Sequence, residues 1–153
     1  MKTSNVLVAA VVVTVSTLFT ACVQDHQVPL IRVANVTLSP DQEVPPKNSP
    51  AMGTANVVFD RITHVMSYTV TWNNLTGNPI GSHIHGTAPR GRNAGIRHDF
   101  TTPLPKTTSG TFSNSVMVDG VAIKEDSLLA GFYYFNIHTP ANPGGEIRGQ
   151  IEF

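Results

Sequence analysis

The stretch 81–86, Gly-Ser-His-Ile-His-Gly, places two histidines one residue apart in a run that is typical of a β-strand. Because strand side chains alternate between faces, His83 and His85 are expected to point to the same side. A later run, 133–138, alternates in the same way and puts His138 on the face opposite its apolar residues. If the two strands are neighbours, three imidazoles meet on one surface.

Neutral imidazole is a suitable ligand for copper, zinc, nickel and iron, and three histidines with one open position make a workable site. His83, His85 and His138 are therefore the predicted metal ligands. For copper, the fourth ligand is expected to be His98, water or a small molecule. The alternative is that these histidines hydrogen-bond the backbone of nearby loops and hold one end of the domain closed.

Two charged residues near the C terminus, Glu146 and Arg148, share a strand face by alternation. The interpretation we favour is a cross-strand or loop-fixing ion pair, and the alternative is that Arg148 guides an anion towards the metal. Glu43 is followed by two prolines. It is expected to anchor a loop, because no second carboxylate is evidently paired with it for acid–base work.

The elements that position these residues are predicted to be strands. Charged residues make up 13% of the chain, which contains 12 glycines and 11 prolines, a composition typical of short strands joined by turns. The predicted strands are 31–38, 53–60, 64–72, 80–86, 110–118, 131–138 and 145–153, and 94–100 is expected to be a short strand or an ordered return. We expect an all-β fold, an antiparallel, Greek-key-like sandwich or flattened barrel of about eight strands.

Within this fold, the third strand alternates clearly and supplies the predicted core residues Met66, Tyr68, Val70 and Trp72. One helix of one or two turns is predicted within 122–130. The sequence suggests Asp119 as its N-cap. A loop over 140–144 is expected to join the last two strands.

The N-terminal residues are typical of a targeting segment. Lys2 is followed by an apolar run over 6–15 that is too short to span a bilayer. Cys22, the single cysteine, follows a small residue, as in bacterial lipoprotein signals, and is predicted to be lipidated. The chain is therefore divided into a signal peptide (1–21), a tether (22–30) and one domain (31–153). The protein is expected to be extracytoplasmic, as a cell-envelope lipoprotein or, if Cys22 is not lipidated, as a secreted protein.

Several functional classes find no support in the sequence. The formal net charge is zero, which gives no reason to expect nucleic acid as a partner or attraction to a membrane other than through the lipid. No Ser-His-Asp arrangement, phosphate-binding glycine loop or nucleotide fingerprint stands out. A protein partner cannot be named from the sequence.

The ordered motifs resemble those of CHRD domains. They are Glu43-Val44-Pro45-Pro46, the later Gly53, His83-Ile84-His85, and the closing His138-Thr139 followed by Pro143-Gly144-Gly145-Glu146-Ile147-Arg148-Gly149-Gln150. The resemblance covers about residues 31–153. A CHRD domain is named for its occurrence in chordin and is common in bacterial secreted proteins. This resemblance implies a fold more clearly than an activity.

A second resemblance, in layout, is to copper/zinc superoxide dismutases. It implies copper as the cofactor, with His83, His85 and His138 matching copper ligands. By the same resemblance, His98 lies near the position of the bridging histidine, and Arg148 near that of the active-site arginine. The second metal site, the intrachain disulfide and the loop that steers superoxide have no counterparts in this sequence.

Three functions follow as hypotheses. The first is a CHRD protein that binds one metal ion, copper favoured, through the three histidines. The second is a metal-free adhesion or protein-binding module. The third is a superoxide dismutase-like enzyme, ranked last because of the missing parts, so catalysis is not the expected role.

Overall fold

The computed structural model describes residues 30–153, so the predicted signal peptide, the lipidation of Cys22 and most of the tether lie outside the described residues. Eight strands and two short helical segments make up the described chain. The strands are β1 (Ile31–Leu38), β2 (Met52–Asp60), β3 (Val65–Asn73), β4 (Gly81–Gly86), β5 (Ile96–Asp99), β6 (Gly110–Met117), β7 (Tyr133–Thr139) and β8 (Asn142–Gln150). The helical segments are a 3-10 turn (Pro40–Gln42) and α1 (Glu125–Leu129). Within residues 30–153, no helix has the length and apolar character needed to cross a membrane.

The strands form two four-stranded sheets that pack face to face. The first sheet has the order β1-β2-β3-β6 and the second β5-β4-β7-β8. Every pairing is antiparallel. The predicted all-β antiparallel sandwich of eight strands is therefore confirmed, and the barrel alternative is wrong because the sheets do not close on each other.

Alternation along the strands builds the core between the sheets. In β3 the predicted residues Met66, Tyr68, Val70 and Trp72 are all buried. Facing residues of the second sheet are also apolar and buried: Ile84, Tyr133, Phe135, Ile137 and Ile147. The Trp72 indole N–H donates to the Thr107 carbonyl at 2.9 Å, so the one polar atom of this large side chain is satisfied.

One backbone bridge ties the two sheets together at the end of β1. Ser39 and Arg148 exchange two hydrogen bonds, of 3.0 and 3.1 Å. This bridge fixes the start of the following segment, 40–47, over the outer face of the second sheet. The position of Arg148 in β8 is thereby linked to the segment that contains Glu43.

Two local predictions are wrong. Helix α1 begins at Glu125 after Lys124, and Asp119 is not its N-cap. Instead the Asp119 carboxylate accepts hydrogen bonds from the three amides of 121–123 and shapes the preceding turn. The connection between β7 and β8 is also shorter than the predicted 140–144 loop, since β8 already begins at Asn142.

The outer faces of the two sheets differ in burial. On the second sheet, loops cover the outward-facing side chains of β7 and β8. Five of these side chains carry polar groups and are buried: Tyr134, Asn136, Glu146, Arg148 and Gln150. On the first sheet the outer face is open. It carries a row of threonines across all four strands, Thr37, Thr54, Thr71 and Thr111. A buried polar layer therefore lies between the outer face of the second sheet and the loops that cover it, and the candidate site lies in this layer.

Candidate metal centre

The two sheet strands β4 and β7 bring the three predicted histidines together. His83 and His85 project from one face of β4, and His138 reaches the same face from β7, where it pairs with Gly81. One ring nitrogen from each histidine lies within 4.8 Å of the other two. The shortest separation, 3.0 Å, joins His83 Nδ1 and His138 Nε2. Gly81 allows this approach, because a β-carbon there would stand 3.0 to 3.1 Å from both rings.

Two of the rings are oriented by backbone carbonyls. His85 Nδ1 lies 2.9 Å from the Ala94 carbonyl oxygen, and His138 Nδ1 lies 3.0 Å from that of Pro143. A carbonyl can only accept a hydrogen bond, so each Nδ1 carries the proton and each Nε2 keeps a lone pair. Backbone acceptors on the outer nitrogens are a common way to orient metal-binding histidines.

The third ring is arranged differently. His138 Nε2 is an acceptor, so its 3.0 Å partner His83 Nδ1 must donate when no metal is bound. His83 Nε2 then accepts from the Thr101 hydroxyl at 3.4 Å, with Asp99 Oδ1 at 3.8 Å. A metal on Nδ1 would require the His83 proton to move to Nε2, where Asp99 is the nearest anionic acceptor.

The local electrostatics keep the rings neutral. Burial lowers the pKa of His138 to about 4, against the Pro143 carbonyl, which raises it. Burial also lowers the pKa values of His83 and His85. A metal binds only to an imidazole nitrogen that carries no proton. Because these rings are already neutral at neutral pH, they need not release a proton to solvent before they bind a metal. His85 Nε2 is buried and has no hydrogen-bond partner, which leaves a lone pair aimed into the cluster.

The cluster opens into a shallow cavity of about 290 Å³. Besides the three histidines and Gly81, the cavity is lined by Ile80, Ile96 and Pro143. The side chains of Ile80 and Ile96 are 53% and 52% exposed. The mouth of the site is thus apolar, and no charged side chain is among these lining residues.

The donor set fits a metal ion. Tetrahedral ligands at 2.0–2.1 Å from a metal stand about 3.4 Å apart, so the cluster needs side-chain shifts of about 1 Å. Three neutral nitrogens without a carboxylate suit copper or zinc better than the hard cations calcium and magnesium. The open side leaves a coordination position for water or another small ligand.

His98 lies outside the cluster. In the register of β4 and β5 it pairs with Ile84, which points into the core. Its Nε2 is 3.1 Å from the Tyr68 hydroxyl, and its ring packs against Phe100. The structure therefore does not bring the fourth suggested ligand to the site.

Among the described residues, neither Glu146 nor Arg148 takes part in a cross-strand or loop-fixing ion pair, and hydrogen bonds hold both side chains instead. The Glu146 carboxylate accepts hydrogen bonds from the hydroxyls of Ser49, Thr76 and Thr139 and from the Thr76 amide. Burial alone would raise the pKa of Glu146, but these hydrogen bonds together hold it below its usual value. Glu146 thus fastens three segments that are distant in sequence.

Arg148 is 1% exposed, and it does not line the histidine cavity. Its guanidinium carbon lies 3.5 Å from the centre of the Tyr134 ring, and its nitrogens donate to the loop at Arg92 and Asn93. Gln150 accepts a further bond of 3.3 Å. A cation so enclosed is poorly placed to attract an anion from solvent to the histidines.

Glu43 anchors its loop, in the manner suggested by the sequence. It is 4% exposed and accepts a 2.8 Å hydrogen bond from the Asn136 amide. Burial raises the pKa of Glu43 to about 7, against Arg148 and the Asn136 hydrogen bond, which lower it. Glu43 and Arg148 also line a separate cavity of about 410 Å³.

Sequence reasoning missed three contributors to the site. Tyr134 lies parallel to His85, with ring centroids 5.0 Å apart and planes 5° apart. Ala94 contributes only a carbonyl, which carries no side-chain signal. Asp99 stands beside His83, and its place opposite His83 across β4 and β5 was the signal that could have pointed to it.

Comparison with known proteins agrees with this arrangement of motifs. No curated protein and no solved structure matches the chain. The family model of the CHRD domain matches residues 34–151, which is most of the chain and nearly all of the sandwich. The match includes the segment of Glu43, the histidine strands and the β8 residues that carried the resemblance in the sequence. The chain therefore belongs to the CHRD domain family.

Proposed function

We propose that this CHRD domain binds one metal ion, with copper favoured, through His83, His85 and His138. The observation that carries the proposal is the convergence of three ring nitrogens within 4.8 Å, one of them buried without a partner. The backbone acceptors behind His85 and His138 add support, since they present the Nε2 lone pairs inward. Copper is preferred over zinc because of the layout resemblance to copper enzymes, and the experiment below compares the two.

The proposed role is to hold or pass on the ion in the cell envelope. The open, apolar mouth supports exchange of the ion or of a fourth ligand. Lipidation at Cys22 and an extracytoplasmic location belong to the same proposal and rest on the sequence alone. We do not propose superoxide dismutation, because the enclosed Arg148 lies behind Tyr134 and does not line the mouth.

The test is a titration of the metal-free protein with Cu(I), Cu(II) and Zn(II), in which binding is measured by calorimetry or by competition with a chelator. One ion per chain is expected, with binding lost in the double variant His83→Ala/His85→Ala. His64→Asn is the matched control, because His64 lies outside the cluster and has a φ of 56°, which asparagine tolerates. Binding that persists in the double variant would remove the three-histidine site.

The second candidate, a protein-binding module, has its own observation. On the outer face of the first sheet, the corner formed by β1 and β2 exposes three apolar side chains: Ile31, Val33 and Val58. Val33 and Val58 are direct cross-strand neighbours, so the exposed apolar area is continuous there. If the metal titration fails, Val33→Lys should reduce the amount of any partner protein that co-purifies with the domain from the native envelope. An unchanged amount of partner would argue against this corner as the binding surface.

A further inference from the structure

The ring of His85 depends on a loop that has little regular structure of its own. The segment 87–95 lies between β4 and β5, and its Ala94 carbonyl oxygen is the acceptor for His85 Nδ1 at 2.9 Å. Within the loop, one backbone hydrogen bond of 3.3 Å joins Arg92 to Pro89. Contacts from outside the loop must therefore supply much of its rigidity.

Tyr134 supplies one of those contacts. Its hydroxyl accepts a 3.0 Å hydrogen bond from the Ala94 amide and lies 3.4 Å from the Ala94 carbonyl oxygen, to which it donates. Its ring is also stacked on His85. One side chain thus contacts both the imidazole and the residue whose carbonyl orients that imidazole.

Arg148 supplies further contacts close to Ala94. One guanidinium nitrogen donates to the Arg92 carbonyl at 2.9 Å, and another donates to the Asn93 side-chain oxygen at 3.2 Å. The same guanidinium lies over the Tyr134 ring, where a cation is attracted by the π-system. Arg148 therefore fixes the two residues before Ala94 and the ring beside it.

The carbonyl of Ala94 decides which nitrogen His85 can offer. With the proton on Nδ1, the ring donates to Ala94 and presents a lone pair at Nε2. The other tautomer would set two lone pairs against each other and bury an N–H at Nε2, where no partner stands. If the loop shifts away from His85, this preference is lost.

From these contacts we propose that Tyr134 and Arg148 are positioning residues that hold the Ala94 carbonyl against His85 and thereby fix His85 as an Nε2 ligand. This inference rests on the proposed metal function, whose site it deepens. Neither residue belongs to the group of three histidines that could hold the ion. They act through the loop, and they select the tautomer before any metal arrives.

The experiment measures the tautomer directly in the metal-free protein. Long-range ¹H–¹⁵N NMR of ¹⁵N-labelled protein distinguishes a ring protonated at Nδ1 from one protonated at Nε2. We expect wild-type His85 to be protonated at Nδ1. In Tyr134→Phe, which keeps the ring and removes the hydroxyl, and in Arg148→Lys, we expect a mixture of tautomers and a metal affinity that is about 10-fold to 100-fold lower.

Tyr133→Phe is the matched control. Tyr133 is a neighbouring buried tyrosine whose hydroxyl accepts from the Lys124 amide, on the other face of β7. It should lose stability without changing the His85 tautomer or the metal affinity. A His85 ring that remains protonated at Nδ1 in Tyr134→Phe and Arg148→Lys, with the affinity of the control, would overturn the inference. A wild-type protein that binds no metal would instead defeat the proposed function, while the tautomer measurement still decides the role of Tyr134.

Discussion

Gly145 lies so close to Glu43 that a β-carbon added at Gly145 would stand 2.6 Å from one carboxylate oxygen and 2.7 Å from the other. The φ of Gly145 is +124°, a conformation that residues with a side chain rarely adopt. The glycine therefore lets β8 pass directly under the carboxylate that anchors the 40–47 segment. Space and backbone conformation both require glycine at this position.

Gly145→Ala should therefore destabilise the domain by about 2–3 kcal/mol or more, through steric conflict with Glu43 and backbone strain. Urea unfolding measures the free energy change. Gly144→Ala is the control, because a β-carbon at Gly144 would meet no atom within 4 Å. Equal stability of the two variants would show that the contact with Glu43 relaxes at little cost.

The buried Glu43 should make stability fall as pH rises through neutrality. Its pKa is raised from 4.5 to about 7 in the folded protein, so the folded state binds the proton more tightly than the unfolded state. The stabilisation is full below about pH 4.5 and is lost as pH rises through 7, a difference of up to about 3 kcal/mol.

The measurement for Glu43 is the stability of metal-free wild type and Glu43→Gln by urea unfolding from pH 5 to pH 8. The histidines of the cluster make stability rise with pH, opposite to Glu43, because burial lowers their pKa values in the folded protein. The difference between the two proteins isolates Glu43, and it should move in favour of Glu43→Gln as pH rises. A pH-independent difference would contradict the raised pKa of Glu43.

Asp99→Asn should weaken metal binding by about 10-fold, because second-sphere carboxylates typically contribute 10-fold to 100-fold to affinity. When a metal takes His83 Nδ1, the proton at Nε2 faces Asp99, whose carboxylate oxygen Oδ1 lies 3.8 Å from that nitrogen. Chelator competition measures the affinity. Asp126→Asn, an exposed change of the same kind on α1, should leave the affinity unchanged, and equal affinities of the two variants would exclude a role for Asp99.

His98→Ala should lower the melting temperature and leave metal affinity unchanged. The substitution removes the 3.1 Å contact with the Tyr68 hydroxyl, and the loss of such a hydrogen bond in a partly buried position costs about 1–2 kcal/mol. Thermal unfolding and the copper titration, run on the same samples, separate the two effects. A large loss of affinity without loss of stability would instead make His98 a ligand.

Period-two alternation explains how much of this fold could be predicted from the sequence. It placed Met66 and Trp72 in the core, and it put His83, His85 and His138 on one face, as the structure has them. Side-chain direction in a strand is set by the pleat, so it can be read from local sequence alone.

The loops carry no such periodic signal, and there the predictions were weakest. Nothing in the sequence around Glu146 indicates that hydroxyls from Ser49 and Thr76 will surround it, so an ion pair across strands or to a loop was expected instead. The burial of Arg148 likewise depends on the path of the 87–95 loop over β8. Contacts between segments far apart in sequence determine the hydrogen-bond partners of Glu146 and the burial of Arg148.

The two ends of the sandwich carry different parts of the chain. β1 starts at Ile31, beside Asp60 at the end of β2. Near the C terminus, Phe153 packs against Phe59, with ring centroids 6.4 Å apart. The first and last described residues of the sandwich therefore lie at one end.

The histidines belong to the opposite end. His83 lies in the same cross-strand row as Asn136 and Arg148, and Arg148 bonds to Ser39, just past the far end of β1. A strand of eight residues is about 25 Å long. The start of β1, which is the described strand nearest to Cys22 in sequence, therefore lies about a strand's length from the cluster. If Cys22 carries a lipid, as the sequence predicts, the cluster would stand apart from the start of the domain, with its mouth open to free ions and soluble carriers.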